Sequence, residues 1–419
     1  MKNILKISTI VLGIIAVGLL YYYFFFFKAS TPTINTSTKP SSTNFFPFGQ
    51  GGTTGNTTKP NTNTNPTTQQ LQQASNYLQK LRLISNEPVA GATFIENKNT
   101  VIIRYIEKAT GHIYDVSTNS ATINQISNTT LPKIHEAFFT DLGLGLIARS
   151  VGDDGESIQT IYSKLPASVA TTTQKIASSS ILTLNPLVLQ TNIPFLTVSP
   201  STKNIFYTQK SFAGSTGIIA LSNGTSKKQI WSSPVRSVYP QFSGENTVLV
   251  TTAPNASVYG YAYLVNTKTG GVKNILGNIY DLSVFANTTG TDFVYYTSAS
   301  GGQFFHYVLA NSSTTPLTPT TFPEKCVFDT SSKTSLYCAV PNDSLSQNSL
   351  DNWYLGLNSY SDSIWKYDLK AGTSQMIEDL SSNAGRNIDV INMHINTVGS
   401  LLLFQSKTDG SLWSLNVGA

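Results

Sequence analysis

Charge is scarce in this chain: only 12% of its 419 residues are Asp, Glu, Lys or Arg. The formal net charge of +5 is not gathered into blocks, because Lys and Arg are scattered beyond the N-terminal tip. A nucleic-acid surface needs such a block, so no nucleic-acid partner is expected. Histidine occurs four times and cysteine twice. His112, His135, His306 and His394 lie far apart with no His-x-His spacing, and each reads as a satisfied strand residue rather than a metal ligand. His135-Glu136 begins like the zinc-protease motif, but Phe139 stands where the second His is needed. No Gly-x-Ser-x-Gly elbow and no phosphate-binding loop occurs. Asp153-Asp154-Gly155-Glu156 lacks the alternating ligands of a calcium loop and reads as a hairpin turn. No catalytic set, metal or cofactor is therefore expected. Long helical periodicity is nearly absent, whereas Val, Ile, Thr and aromatics are plentiful, which favours strands.

The exception is Ile7–Phe27, an uncharged run close to the ~20 residues that a helix needs to cross a bilayer. Lys2 and Lys6 precede it and Lys28 follows. The positive-inside bias then places the N-terminus in the cytoplasm and the remainder outside, on a single-pass anchor. A cleaved signal peptide is the competing reading, against which stand the length of the run and the bulky YYYFFFF where small residues precede a cleavage site. Residues 29–68 are rich in Thr, Asn, Ser, Pro and Gly and cannot bury enough apolar surface to fold, so they read as a disordered tether. FFPFGQ (Phe45–Gln50) interrupts it, as a sticky spot in a linker or a short docking motif. In residues 69–81, Leu71, Ala74, Leu78 and Leu81 fall at helical spacing and predict a short lead-in helix.

From residue 82 to the end the chain repeats itself. One unit is clearest at Asn192–Trp231, where PFLTVSP, NIFYTQ, GIIALS and KKQIW read as four strands separated by small polar residues. Self-similarity at ~40–50 residues marks propellers and solenoids. Third-strand signals recur at 111–118, 157–164, 217–224, 261–271, 304–312, 363–372 and 411–418. The expected fold is therefore all-β, a seven-bladed β-propeller, with six and eight blades as alternatives. The last unit stops after its third strand, and LRLIS (81–85) is an orphan strand at the other end. Pairing the two closes the ring and leaves no open seam. Cys326 and Cys338 sit in two strands that fold as a hairpin about Ser332, which sets them opposite each other and within reach of a disulfide. Two buried free thiols are the alternative.

SPSTKNIFYTQ…GIIALSNGTSKKQI (199–230) resembles the WD40-like repeat of TolB-type propellers: Ser199, Pro200 and Lys203 match its Ser-Pro-Asp-Gly-Lys turn, while Ser201-Thr202 replace Asp-Gly. The whole chain is similar to bacterial proteins with one membrane helix, a Thr/Asn-rich linker and a propeller. The resemblance implies fold and location, not chemistry.

One loop stands out. Between LYCAVP (336–341) and SIWKYDL (363–369) about 20 residues intervene, far more than in a usual connector, and loops of this length are often functional. Trp353, Tyr354 and Leu355 in it, with Phe212 and Tyr259 in the matching connectors of blades three and four, form a candidate binding face. The alternative is that the aromatic part is a lid over the core. The expected role is a non-catalytic platform for a protein of the cell envelope. The rival is glycan binding or a glycan-acting enzyme, which would need a convergent acid pair such as Asp351 and Asp362. These two are expected to lie apart.

Overall fold

The computed structural model describes residues 79–97, 100–167, 182–332 and 334–418. The anchor at 7–27, the tether at 29–68 with FFPFGQ, and residues 69–78 of the expected helix lie outside that set. Of the helix's last three residues, Gln79 and Lys80 form a bend and Leu81 already begins a strand. No helix among the described residues is long and apolar enough to cross a membrane.

Seven sheets of four antiparallel strands follow one another. The blades comprise residues 89–127, 134–188, 196–233, 238–280, 283–317, 326–379 and 390–416, the last completed from the N-terminal side. Every third-strand signal in the sequence is the third strand of a blade. The reason is local: strand alternation with a period of two and a polar turn after each run are both written into neighbouring residues. Asp154 shows this directly, its carboxylate accepting from the Glu156 and Ser157 amides while Gly155 takes a φ of 74°.

Ring closure is as the sequence suggests. Leu81–Ser85 pairs with Leu412–Asn416 as the outer strand of blade 7, with Leu81 opposite Leu415 and Leu83 opposite Trp413. Arg82 then reaches across to blade 1, donating to the Ser117 and Ser120 carbonyls at 2.9 and 3.2 Å.

The core is divided among the blade interfaces. Blades 1 and 2 share Ala90, Ile106, Ile134 and Leu146, for example, and blades 7 and 1 share Leu403, Leu412, Val89 and Ile103. Each neighbouring pair has such a cluster, so apolar burial runs round the ring without a break. Towards the axis the inner strands converge. A Cβ on Gly91 would lie 2.1 Å from the Ala137 carbonyl oxygen, so only glycine lets blades 1 and 2 approach this closely. Inside the inner strands runs a channel with a cavity of about 500 Å³.

Strands alternate in direction, so the connectors between second and third strands share one face with the connectors between blades. Leu81 begins its strand beside Leu415, near the end of blade 7's third strand. The chain therefore joins the propeller on the opposite face.

Candidate functional site

The long connector of blade 6 folds over the mouth of the ring. Its centre is a short helix, Ser349–Tyr354, and Gly356 with a φ of 72° turns the chain back after it. Leu350, Trp353 and Tyr360 from this segment pack on Phe322 and Tyr296, a small core of its own above blades 5 and 6. Polar contacts tie the helix to four further residues, Ala256, Asp389, Lys407 and Glu324. Asp351 accepts from the Ala256 amide of blade 4 at 3.1 Å. The Trp353 indole donates to both oxygens of Asp389, each at 3.0 Å, in the connector leading to blade 7. Lys407 of blade 7 donates to the Trp353 carbonyl at 2.6 Å and lies 4.8 Å from its ring centre. Tyr354 donates to Glu324 at 2.5 Å and stacks near Tyr239 of blade 4, with ring centres 6.2 Å apart. An excursion fastened to blades 4, 5, 6 and 7 is a lid.

This corrects one expectation. Trp353 is only 4% exposed, an internal anchor and not part of a contact face. A buried indole needs a partner for its N–H, and Asp389 supplies it. The other expected face residues are on the surface: Phe212 is 99% and Leu355 is 73% exposed, with Tyr259 and Tyr354 about half covered. Leu357 of the same connector is exposed as well, and sequence reasoning missed Val258, Tyr280 and Val235, all exposed on the same face. Tyr259 and Tyr280 stack at 4.3 Å. Asp351 and Asp362 have different partners. Asp351 caps a blade-4 amide, whereas Asp362 is fully buried against Lys325.

Cys326 and Cys338 are disulfide-bonded, directly opposite one another on the first two strands of blade 6 with Cα atoms 4.0 Å apart. The bond fixes the strand from which the lid departs. Of the histidines, His306 bonds Asp292 at 3.0 Å, as expected of a satisfied strand residue. His394 instead sits on the inner strand of blade 7 and lines the channel with Glu136, Gln241, Glu324, Asn392 and Gln405. Its surface is open to the channel, and the poor solvation there holds its imidazole below the ordinary pKa.

Below the lid lies a second acidic group. Asp281, in the turn between blades 4 and 5, is fully buried, and neither carboxylate oxygen has a hydrogen-bond partner among the described residues. Burial, then Asp351 and Glu324, push its carboxyl up from 3.8 to about 7. Burial also raises Glu324 above the ordinary carboxylate range. A folded-state pKa above the unfolded one means a stabilising contribution that is complete below about pH 4 and lost as pH rises through 7. The urea midpoint of the wild type is thus expected to fall between those pH values, and Asp281→Asn to flatten that fall. Identical slopes for the two proteins would remove Asp281 from the account.

No protein-family model matches the sequence, and no curated protein matches it. Solved structures similar to it include β-propellers. An oligogalacturonate lyase from Vibrio parahaemolyticus aligns over 82% of this chain and 93% of its own, with 9% identity and a TM-score of 0.49. TolB from Acinetobacter baumannii aligns over 78% and 79%, with 10% identity and a TM-score of 0.42. The propeller domain of the Trilobed protease from Pyrococcus furiosus aligns over 80% and 97%, with 8% identity and a TM-score of 0.48. Identities this low concern architecture, and no site or activity is carried over from them.

Proposed function

We propose that this protein is a membrane-anchored, extracytoplasmic propeller whose lid face docks a protein of the cell envelope. The observation that carries the reading is where exposed apolar side chains fall. Phe212, Val235, Val258, Tyr259, Tyr280, Leu355 and Leu357 come from blades 3, 4 and 6, and all sit at connectors on one face. Aromatic and aliphatic groups held on rigid strand ends lose little freedom when a partner covers them. Leu81 begins its strand on the other face of the propeller, away from these side chains. The low charge of the chain fits recognition by shape and apolar contact more than electrostatic steering.

A second reading, glycan binding in the channel, is favoured by its polar lining of Glu136, Asn392, His394 and Gln405. Photo-crosslinking in living cells separates the two. Probes at Leu355 and Phe212 are expected to capture the same protein, and a probe at Leu142, exposed on the opposite face, to capture none of it. Sugar adducts would favour the glycan reading. Adducts confined to this chain at both positions would sink the platform.

A further inference from the structure

Three ionisable side chains, all with 0% exposure, meet beneath the lid helix: Lys325, Asp362 and Asp389. Lys325 closes the connector between blades 5 and 6, Asp362 opens the third strand of blade 6, and Asp389 directly precedes the inner strand of blade 7. Lys325 Nζ lies 2.6 Å from Asp362 Oδ2 and 2.5 Å from Asp389 Oδ1. Aromatic rings wall the site, with the centres of Trp353 and Tyr360 at 5.2 and 5.7 Å from Nζ.

Lys325 is the one cation paired with both carboxylates among the described residues, Lys407 acting only from the Asp389 side across Trp353, and an uncompensated buried charge is costly. The hydrogen bonds show which acid keeps its proton. Asp389 is fully served: Trp353 Nε1 donates to both oxygens, Lys325 donates to Oδ1, and the Tyr360 amide donates to Oδ2 at 3.2 Å. Asp362 accepts only at Oδ2, from Lys325 and from the Val390 amide at 2.7 Å. Its Oδ1 is buried with no partner among the described residues. Asp389 is therefore the carboxylate and Asp362 the neutral acid. Burial raises the Asp362 carboxyl above its ordinary range, in the same direction.

We propose that Lys325 and Asp362 condense into a side-chain amide, cross-linking the propeller at the base of its lid. Asp389 Oδ1 takes a proton from the Lys325 ammonium, which frees the Nζ lone pair. Nζ attacks Asp362 Cγ and the N–C bond forms. Charge develops on Oδ2, where the Val390 N–H already points. The Cγ–Oδ1 bond then breaks, and Oδ1 leaves with its own proton and a second one from Nζ, as water. An ammonium, a carboxylic acid and a carboxylate become an amide, a water and a neutral Asp389 carboxyl. The step needs no oxidant, reductant or activated donor. Fixed contact between the reactants supplies the proximity that a free amine and acid lack in solution. The product removes two charges from the core and seals the 37-residue span that contains both the disulfide hairpin and the lid.

The test is mass spectrometry of tryptic peptides from the purified full chain. The disulfide must be reduced first, because it joins the same two peptides that the amide would join. Expected is a branched species linking residues 274–333 to 334–366, uncleaved after Lys325 and lighter than the sum of the two by one water. Cleavage after Lys325 with both peptides at full mass overturns the proposal. A branch to residues 387–407, which carry Asp389, overturns the choice of Asp362. Asp389→Asn is expected to abolish the branch, and a branch that persists in it overturns the role of Asp389 as proton acceptor. The wild-type measurement depends on no variant folding.

Discussion

Arg104→Ala is expected to lower the unfolding free energy of the propeller by about 3–5 kcal/mol, the usual consequence of removing one partner of a buried ion pair. Arg104 lies on the second strand of blade 1 with no exposed surface. Its Nε and Nη2 each donate to Asp115 at 2.7 Å, a bidentate pair. Its Nη1 continues across the interface to the Gly143 and Pro166 carbonyls of blade 2, at 2.7 and 3.0 Å. Alanine leaves Asp115 charged and buried, and strips two carbonyls of their donor. The double variant Arg104→Met, Asp115→Leu removes the charge together with its partner and should recover most of the loss. Urea denaturation followed by tryptophan fluorescence measures both proteins. A single variant within about 1 kcal/mol of wild type would mean that water or neighbouring groups repair the site, contrary to the burial.

Trp353→Ala should have a cost of similar size, about 3–5 kcal/mol for truncating a buried tryptophan, but concentrated in one place. The indole packs on Phe322 at 5.7 Å between ring centres, covers Lys325 and Lys407, and holds Asp389 through its N–H. Because the lid is one segment fastened at separate points, its loss need not unfold the blades. Hydrogen exchange is the decisive readout: the amides of Ser349–Tyr354 should exchange far faster, while those in blades 1 to 3 keep their protection. Unchanged protection of the helix would show that Leu350 and Tyr360 hold the lid without Trp353. Leu355→Ser makes the complementary case. An exposed side chain should change stability by no more than about 0.5 kcal/mol, yet on the platform reading this variant weakens partner capture. The pair of variants separates the lid's structural duty from its outward surface.

The amino-acid sequence by itself determined the strands, their order and the ring closure, and favoured seven blades while leaving six and eight open; the structure has seven. These depend on interactions between chain neighbours: the alternation of LRLIS, the turns at Asp154-Gly155 and Asp409-Gly410, and hairpins whose register follows from counting inward from the turn. The disulfide was legible for the same reason, since Cys326 and Cys338 are equidistant from Ser332. Arg104 and Asp115 were legible in principle. They face each other across a hairpin as the one oppositely charged cross-strand pair of TVIIRYIE and IYDVS, whose only other charge is the terminal Glu107, and that pairing was the missed signal. Only the tertiary structure decided the fate of Trp353. An aromatic in a long polar loop looks like a surface residue until Asp389, 36 positions further on, is folded beneath it. The Lys325 site has no sequence pattern at all. Its members stand 37 and 64 residues apart, and they meet only because two inter-blade connectors and a strand end converge at the mouth of a closed ring. Local periodicity fixes each blade, but where the blade ends meet depends on how many blades close the circle, and no short stretch of sequence carries that information.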